Sequence, residues 1–263
     1  GPGGKGCNQA IAISRLGGKV NFISKLGDDE YGKLAINKLQ KDNIDTSNII
    51  ISKNHRTGVA GIHVDKNTGK NAITVVRGAP SSMTIDEINI DIIKQSKIFL
   101  TQLEVPLDVT LYCLKTAKKN GLINILNPAP ACKLNNQFFE LIDYFTPNET
   151  EAEFYSGVKI NNEDDAKKSA KKLIKLGIKN VIITLGEKGL FYSNGKKEIY
   201  IKASKVKAID TTGAGDAFNG GFSVALLEGK EINECLYLAN RIAGLSTTRL
   251  GAGDSMPTLN ELK

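Results

Sequence analysis

An α/β fold, with a mainly parallel sheet covered by helices on both faces, follows from three observations on the sequence. Helical and strand-like patterns alternate from end to end of the 263 residues. Two β-rich runs follow one another with no helix between them, which predicts a small hairpin beside the main sheet. Linkers, repeats and low-complexity stretches are absent, so the chain reads as one domain carrying a β appendage.

In chain order, residues 10–16 carry a helical pattern, 20–26 a strand and 31–41 a second helix. Thr57-Gly-Val-Ala-Gly-Ile-His-Val64 and Asn71-Ala-Ile-Thr-Val-Val76 form the appendage, joined through the turn-forming Asp65-Lys-Asn-Thr-Gly69. Residues 97–103 read as strand, 107–119 as helix and 122–126 as strand. Within 163–176, Ala166, Ala170, Leu173 and Ile174 fall on one helical face. Val181-Ile-Ile-Thr-Leu185 has the apolar run of a buried strand, and Ser193-Asn-Gly-Lys196 reads as a hairpin turn. Two helices close the chain, 214–227 and 232–247.

Composition removes several function classes. At 41% hydrophobic and 24% charged, the chain is of ordinary globular make-up. No apolar run reaches the roughly 20 residues of a membrane span. The opening Gly-Pro-Gly-Gly-Lys has neither signal- nor transit-peptide character, so the cytoplasm is the expected compartment. Cys7, Cys113, Cys132 and Cys235 make no C-x-x-C pair, which argues against a disulfide framework or a zinc cluster. His55 and His63 lack companion ligands and read as surface or strand residues. Most of the formal charge of +7 comes from lysines on solvated helix faces, without the aromatic interleaving that stacks bases. Nucleic acid is therefore not an expected partner, whereas anionic small molecules are. There is no G-x-S-x-G elbow, Walker A sequence, or H-R-D and D-F-G pair. Gly1, Gly3 and Gly6 fit G-x-G-x-x-G, but no strand precedes them and the dinucleotide reading fails.

In open α/β sheets ligands collect beyond the carboxyl ends of the strands. The junction that fits best is Ala208-Ile-Asp-Thr-Thr-Gly-Ala-Gly-Asp-Ala-Phe-Asn219, read as a strand ending at Asp210, a glycine turn, and an apolar helix beginning near Asp216. Free N–H groups of Gly213, Ala214 and Gly215 would form an anion hole suited to a transferring phosphoryl group. Asp216 would stay ionised there and accept a hydroxyl proton. On this segment alone, an aspartate N-cap behind a glycine turn serves equally well.

Other segments extend the pattern: Gly3-Gly-Lys-Gly-Cys-Asn-Gln9, Gln102-Leu-Glu-Val-Pro106, Leu126-Asn-Pro-Ala-Pro-Ala131, Thr146-Pro-Asn-Glu-Thr-Glu-Ala-Glu153, Thr184-Leu-Gly-Glu-Lys-Gly189 and Thr248-Arg-Leu-Gly-Ala252. Taken in this order across the chain, they resemble the ribokinase family of PfkB-type carbohydrate kinases. The resemblance implies a Rossmann-like sheet with a small β-sheet lid, formed in part by residues 57–78. It also implies ATP-dependent phosphorylation of D-ribose at its primary hydroxyl, with Asp216 as base. By the same resemblance Gly4, Lys5, Asn8 and Glu104 bind the sugar. Asn148 and Glu151 lie in the magnesium and phosphate region, where the bland alternative is an acidic helix start. ATP would lie along Thr184, Gly186 and Gly189, with Asn240 near the adenine. Asp210, Thr212, Ser246, Arg249, Gly251 and Ser255 match the positions of an activating potassium ion, and a homodimer through the lid is implied.

Three departures temper the match. Family members carry a segment before the Gly-Gly-Lys-Gly motif, so an N-terminal part is expected to be missing here and the piece to be weakly active. Cys7 stands where alanine is usual, and Asp254 is unusual beside the potassium positions. Two alternatives stay open: a sister kinase acting on another sugar or a nucleoside, and a non-catalytic sugar- or nucleotide-binding remnant.

Overall fold

A computed structural model describes residues 1–64 and 71–262; the expected turn at 65–69 lies outside the described residues. Six strands form the central sheet, in the order β10-β9-β8-β7-β6-β5. They are β5 (Ile98–Thr101), β6 (Ile123–Leu126), β7 (Tyr144–Phe145), β8 (Asn180–Thr184), β9 (Leu190–Ser193) and β10 (Glu198–Ile201). β5 to β8 run parallel, and β9 and β10 add an antiparallel hairpin at one edge. The sheet is therefore mixed, with its parallel half carrying the crossover helices that parallel pairing requires.

Nine α-helices lie among the described residues: α1 (Lys5–Arg15), α2 (Glu30–Lys41), α3 (Ile90–Lys94), α4 (Leu107–Lys119), α5 (Asn136–Leu141), α6 (Glu149–Ser156), α7 (Glu163–Lys175), α8 (Ala214–Leu227) and α9 (Ile232–Ser246). The two sheet faces are covered differently. On one, Phe139, Phe145, Ala166, Ala170, Leu173, Val181 and Phe191 bury α5, α6 and α7 against the strands. On the other, Ile125, Ile182, Tyr192, Phe218, Phe222 and Leu236 bury α8 and α9. Truncating a fully buried ring such as Phe145 or Phe222 would cost about 3–5 kcal/mol.

Two smaller sheets stand apart. β1 (Ser24–Gly27) pairs in parallel with β2 (Ile49–Ser52), so the strand expected over 20–26 is shorter and joins a two-stranded sheet. β3 (Val59–Val64) and β4 (Asn71–Val76) form the antiparallel appendage. Its stems are tied to the body: Asp29 accepts hydrogen bonds from the backbone N–H groups of Thr57 (2.8 Å) and Gly32 (2.8 Å), and Ala79 N–H donates to the Arg56 carbonyl (2.7 Å).

The structure corrects two further expectations. The first helix begins at Lys5 rather than Ala10, because the glycine segment is its N-terminus and not a preceding loop. No strand leads to Asp210. The N–H groups of Ile209 and Asp210 instead donate to the Thr247 carbonyl behind α9, and Asn240 takes the Lys202 carbonyl, which leaves the segment without a ladder partner.

Candidate active site

The carboxyl ends of β5, β6 and β7 and the N-termini of α1, α6 and α8 converge on one place. α8 starts at Ala214 behind Gly213, whose φ of 79° is left-handed and suits a residue without Cβ. A side chain there would also press on Ala252 and Met256, so this turn and the 249–256 loop are packed as one piece. No side chain caps α8, and Asp216, the third helical residue, does not fold back onto the helix. Its carboxylate reaches across to α1, accepting Asn8 Nδ2 at 2.9 Å on Oδ2 and Gln9 Nε2 at 3.0 Å on Oδ1. The N-cap alternative for Asp216 is thereby removed. α1 can lie this near because Gly220 of α8 has no side chain; a Cβ there would meet the Ala12 methyl at 2.5 Å.

Five sequence-selected residues join Asp216. Glu104 accepts the first helical N–H of α1, that of Lys5, at 2.9 Å. The Lys5 charge bears on both Asp216 and Glu151. Asn148 and Glu151 form a reciprocal capping box on α6, each accepting the other's backbone N–H at 2.9 Å. Asn8 is buried, and its Oδ1 has no hydrogen-bond partner among the described residues; it faces Gly3 and Gly253. A buried acceptor left open in this way suits a ligand hydroxyl.

Burial sets the electrostatics. It pushes the Asp216 carboxyl above the ordinary range, against the pull of Lys5 and of the Asn8 and Gln9 amides. Burial raises Glu151 too, opposed by the Asn148 N–H and by Lys5. Two carboxyls raised by burial and both under the influence of the Lys5 charge are perturbed groups of the kind that mark a functional site. Cys7 is a bystander: burial holds its thiol up at about 12, so it stays an unreactive thiol.

The remaining expected residues form two adjoining groups. Thr184 bridges to Asn148, its N–H donating to the Pro147 carbonyl at 2.9 Å. Gly186 and Gly189 close the tight turn after β8, and Gly189 packs against backbone at 201–203. Asn240 is fixed to that same segment through Lys202, rather than to the Thr184–Gly189 turn itself. In the second group Asp210 clips two loops together, accepting the N–H of Thr212 and of Gly251 at 2.9 Å each. Those bonds outweigh burial and hold its carboxyl below the usual range. Ser255 is buried, with its hydroxyl on the Ala252 carbonyl, and the Ser246 hydroxyl bonds Ala243. Arg249 pairs its guanidinium outward with Glu261 at 2.6 Å, leaving only its backbone for an ion.

Sequence reasoning missed a belt of buried polar side chains beneath Asp216. Gln102 donates to Gln9 Oε1, and Gln9 Nε2 also lies 3.3 Å from Asn127 Oδ1. Asn127 donates to the Thr146 carbonyl at 3.1 Å. The Thr146 hydroxyl donates to Asn219 Oδ1 at 2.7 Å, and Asn219 returns to the Gly215 carbonyl at 2.8 Å. Each of these residues sits in a segment already singled out. The one available signal was at Asn127, an amide directly after the strand read at 122–126; Gln102 fell inside the strand read at 97–103, and Gln9 and Asn219 lie on helices. Also missed was an ion cluster in which Asp42 holds Arg15 at 2.7 Å and Lys38 at 3.0 Å, while Lys38 holds Asp254 at 2.7 Å.

Comparison with known proteins gives a uniform result. A family model described as pfkB family carbohydrate kinase matches residues 1–259. The chain is 45% identical over 262 residues to a ribokinase of Haemophilus influenzae, covering 98% of this chain and 85% of that protein. It is 33% identical to a deoxyribokinase of Salmonella typhi, covering 99% of this chain and 86% of that protein. Among solved structures, an Arabidopsis thaliana ribokinase complexed with ribose and ATP superposes with a TM-score of 0.92 at 32% identity. It covers 99% of this chain and 86% of its own.

Proposed function

The chain belongs to the pfkB family of carbohydrate kinases, and on that premise we propose that it transfers the γ-phosphoryl group of ATP to the primary hydroxyl of D-ribose. As a member of that family it is an ATP-dependent sugar kinase, and ATP-dependent phosphoryl transfer uses a divalent cation. The observation that carries the reading is the Asp216 carboxylate, buried at an uncapped helix N-terminus yet turned away from capping toward Asn8 and Gln9.

In this reading Asp216 takes the proton as the sugar oxygen attacks phosphorus. The N–H groups of Gly213 and Gly215 would face the charge that develops on the transferring group, whereas the Ala214 N–H, expected to be free, donates to the Thr211 carbonyl at 3.2 Å and would have to turn from it to join them. Gly4, Lys5, Asn8 and Glu104 pair the sugar hydroxyls, with Asn8 Oδ1 the acceptor in waiting. Magnesium neutralises phosphate charge when bound. Glu151 fits it as a hard carboxylate donor, one oxygen occupied by the Asn148 N–H, and would hold it directly or through water beside Asn148. ATP would lie along Thr184, Gly186 and Gly189, its base toward Asn240. Asp210, Ser255 and the backbone oxygens of Thr212, Ser246, Arg249 and Gly251 suit a weakly hydrated potassium ion, since they gather one carboxylate and several carbonyls at two clipped loops. The β3–β4 appendage over residues 57–78 would act as the lid, and its exposed Val59, Val75 and Val76 would pack on a second copy in a homodimer.

Release of ADP with ATP and magnesium, measured across D-ribose, 2-deoxyribose, fructose and a nucleoside, tests the proposal. Ribose is expected to give the highest kcat/KM. Preference for deoxyribose or a nucleoside would move the chain to a sister kinase, and turnover with none of them would leave a binding protein.

A further inference from the structure

The belt under Asp216 has a direction that the hydrogen bonds themselves fix. Asp216 Oδ1, as a carboxylate oxygen, only accepts, so the Gln9 group 3.0 Å away is the amide nitrogen. The second N–H of that nitrogen points to Asn127 Oδ1 at 3.3 Å, and Gln9 Oε1 accepts from Gln102 Nε2. All the polar atoms of the Gln9 amide are thus engaged, in only one orientation. Gln9 is 1% exposed, too deep to touch a ligand itself. Asn8, its neighbour in sequence, holds the other carboxylate oxygen and keeps an open acceptor on the ligand side. The two oxygens of Asp216 therefore face different surroundings.

We propose that Gln9, held by Gln102, is the positioning residue for Asp216: its amide occupies Oδ1, so that Oδ2, which accepts one bond from Asn8 at 2.9 Å, is the oxygen presented to the sugar hydroxyl. This deepens the kinase reading and rests on it. A carboxylate free to rotate would present either oxygen, and misplacement of an ångström at a reacting centre costs on the order of 10²-fold in rate. The clamp also favours the ionised base. The other charged or titratable groups bearing on Asp216 are Lys5 and Cys7 of α1, Glu104 after β5 and Glu151 of α6. None of them replaces a neutral donor on Oδ1.

Gln9→Met keeps the length and removes the amide. We expect kcat with ribose to fall about 10²-fold, KM for ribose to stay within about threefold, and the acidic limb of the kcat profile to move to higher pH. Gln102→Met, which touches Gln9 but not Asp216, should shift the same limb in the same direction with a smaller fall in kcat. A Gln9→Met protein that melts lower but keeps the wild-type kcat and acidic limb would overturn the proposal. If Gln9→Met does not fold, the Gln102→Met limb decides, and an unchanged limb overturns it. Wild-type turnover with ribose, run alongside, separates the two levels: an active wild type with indifferent variants removes only the clamp, and an inactive wild type removes both.

Discussion

Asp216 and Asp210 are the same residue type six positions apart, one on the floor of the site and one on its rim, and their surroundings drive them in opposite directions. Asp216 is buried, bonded by two side-chain amides from another helix, and its carboxyl is pushed up by burial. Asp210 is half-buried and bonded by two backbone N–H groups that hold its carboxyl down despite some burial. A carboxyl held low serves as a permanent charge and a brace between loops. A carboxyl lifted by burial is costly to ionise, and so is the better proton acceptor when substrate arrives.

The largest effect that would break this contrast is at the floor. Asp216→Asn should lower kcat about 10³-fold or more, since it removes the base while keeping the shape; near-normal steady-state turnover would return Asp216 to a structural role. At the rim, Asp210→Ala should leave the base intact and weaken potassium activation, raising the half-activating concentration by about 10- to 100-fold. Titration of rate against potassium chloride at constant ionic strength measures it, and an unchanged curve would remove Asp210 from the ion site.

The smallest effect sharpens the comparison with a third aspartate, remote from the site. Burial would raise Asp143, but the Asn124 N–H, Lys118 and Lys179 prevail and hold it low. A carboxyl lowered in the folded state contributes stability above its unfolded pKa, and that stability is lost as pH falls through the folded value. Asp143→Asn should therefore cost about 1.5–3 kcal/mol at pH 7 by urea unfolding, and less in acid. A cost that does not shrink as the pH is lowered would mean that packing, and not charge, holds this corner.

Much of this was legible in the sequence, for reasons that differ by element. α4 and α8 match their predicted bounds, since Pro106 and Gly213 mark their starts and apolar periodicity runs through them. α7 buries Ala166, Ala170 and Leu173 as read, with Ser169 joining them and Ile174 only half-buried at the edge of that face. β7 was invisible: two residues carry no period, and only the parallel neighbours at Ile125 and Val181 make Tyr144 and Phe145 a strand. The segment before Asp210 alternates like a strand but finds no partner, and pairing is what a single sequence does not contain. The same limit hid the polar belt. Gln9 and Asp216 are 207 residues apart, and nothing local to either says that one amide will be spent on the other.

The bare seam between α1 and α8 has a practical side for anyone seeking a hardier protein. Helix propensity recommends replacing Gly220 and Gly221 with alanine, for a nominal gain of about 1 kcal/mol each. At Gly220 that advice inverts, because the new methyl would collide with the Ala12 Cβ of α1, whereas at Gly221 it would meet the end of the Ile242 side chain on α9. Separating α1 from α8 would also draw Asn8 and Gln9 away from Asp216. A thermostabilisation programme guided by propensity tables would then trade away turnover at Gly220, where those tables look generous.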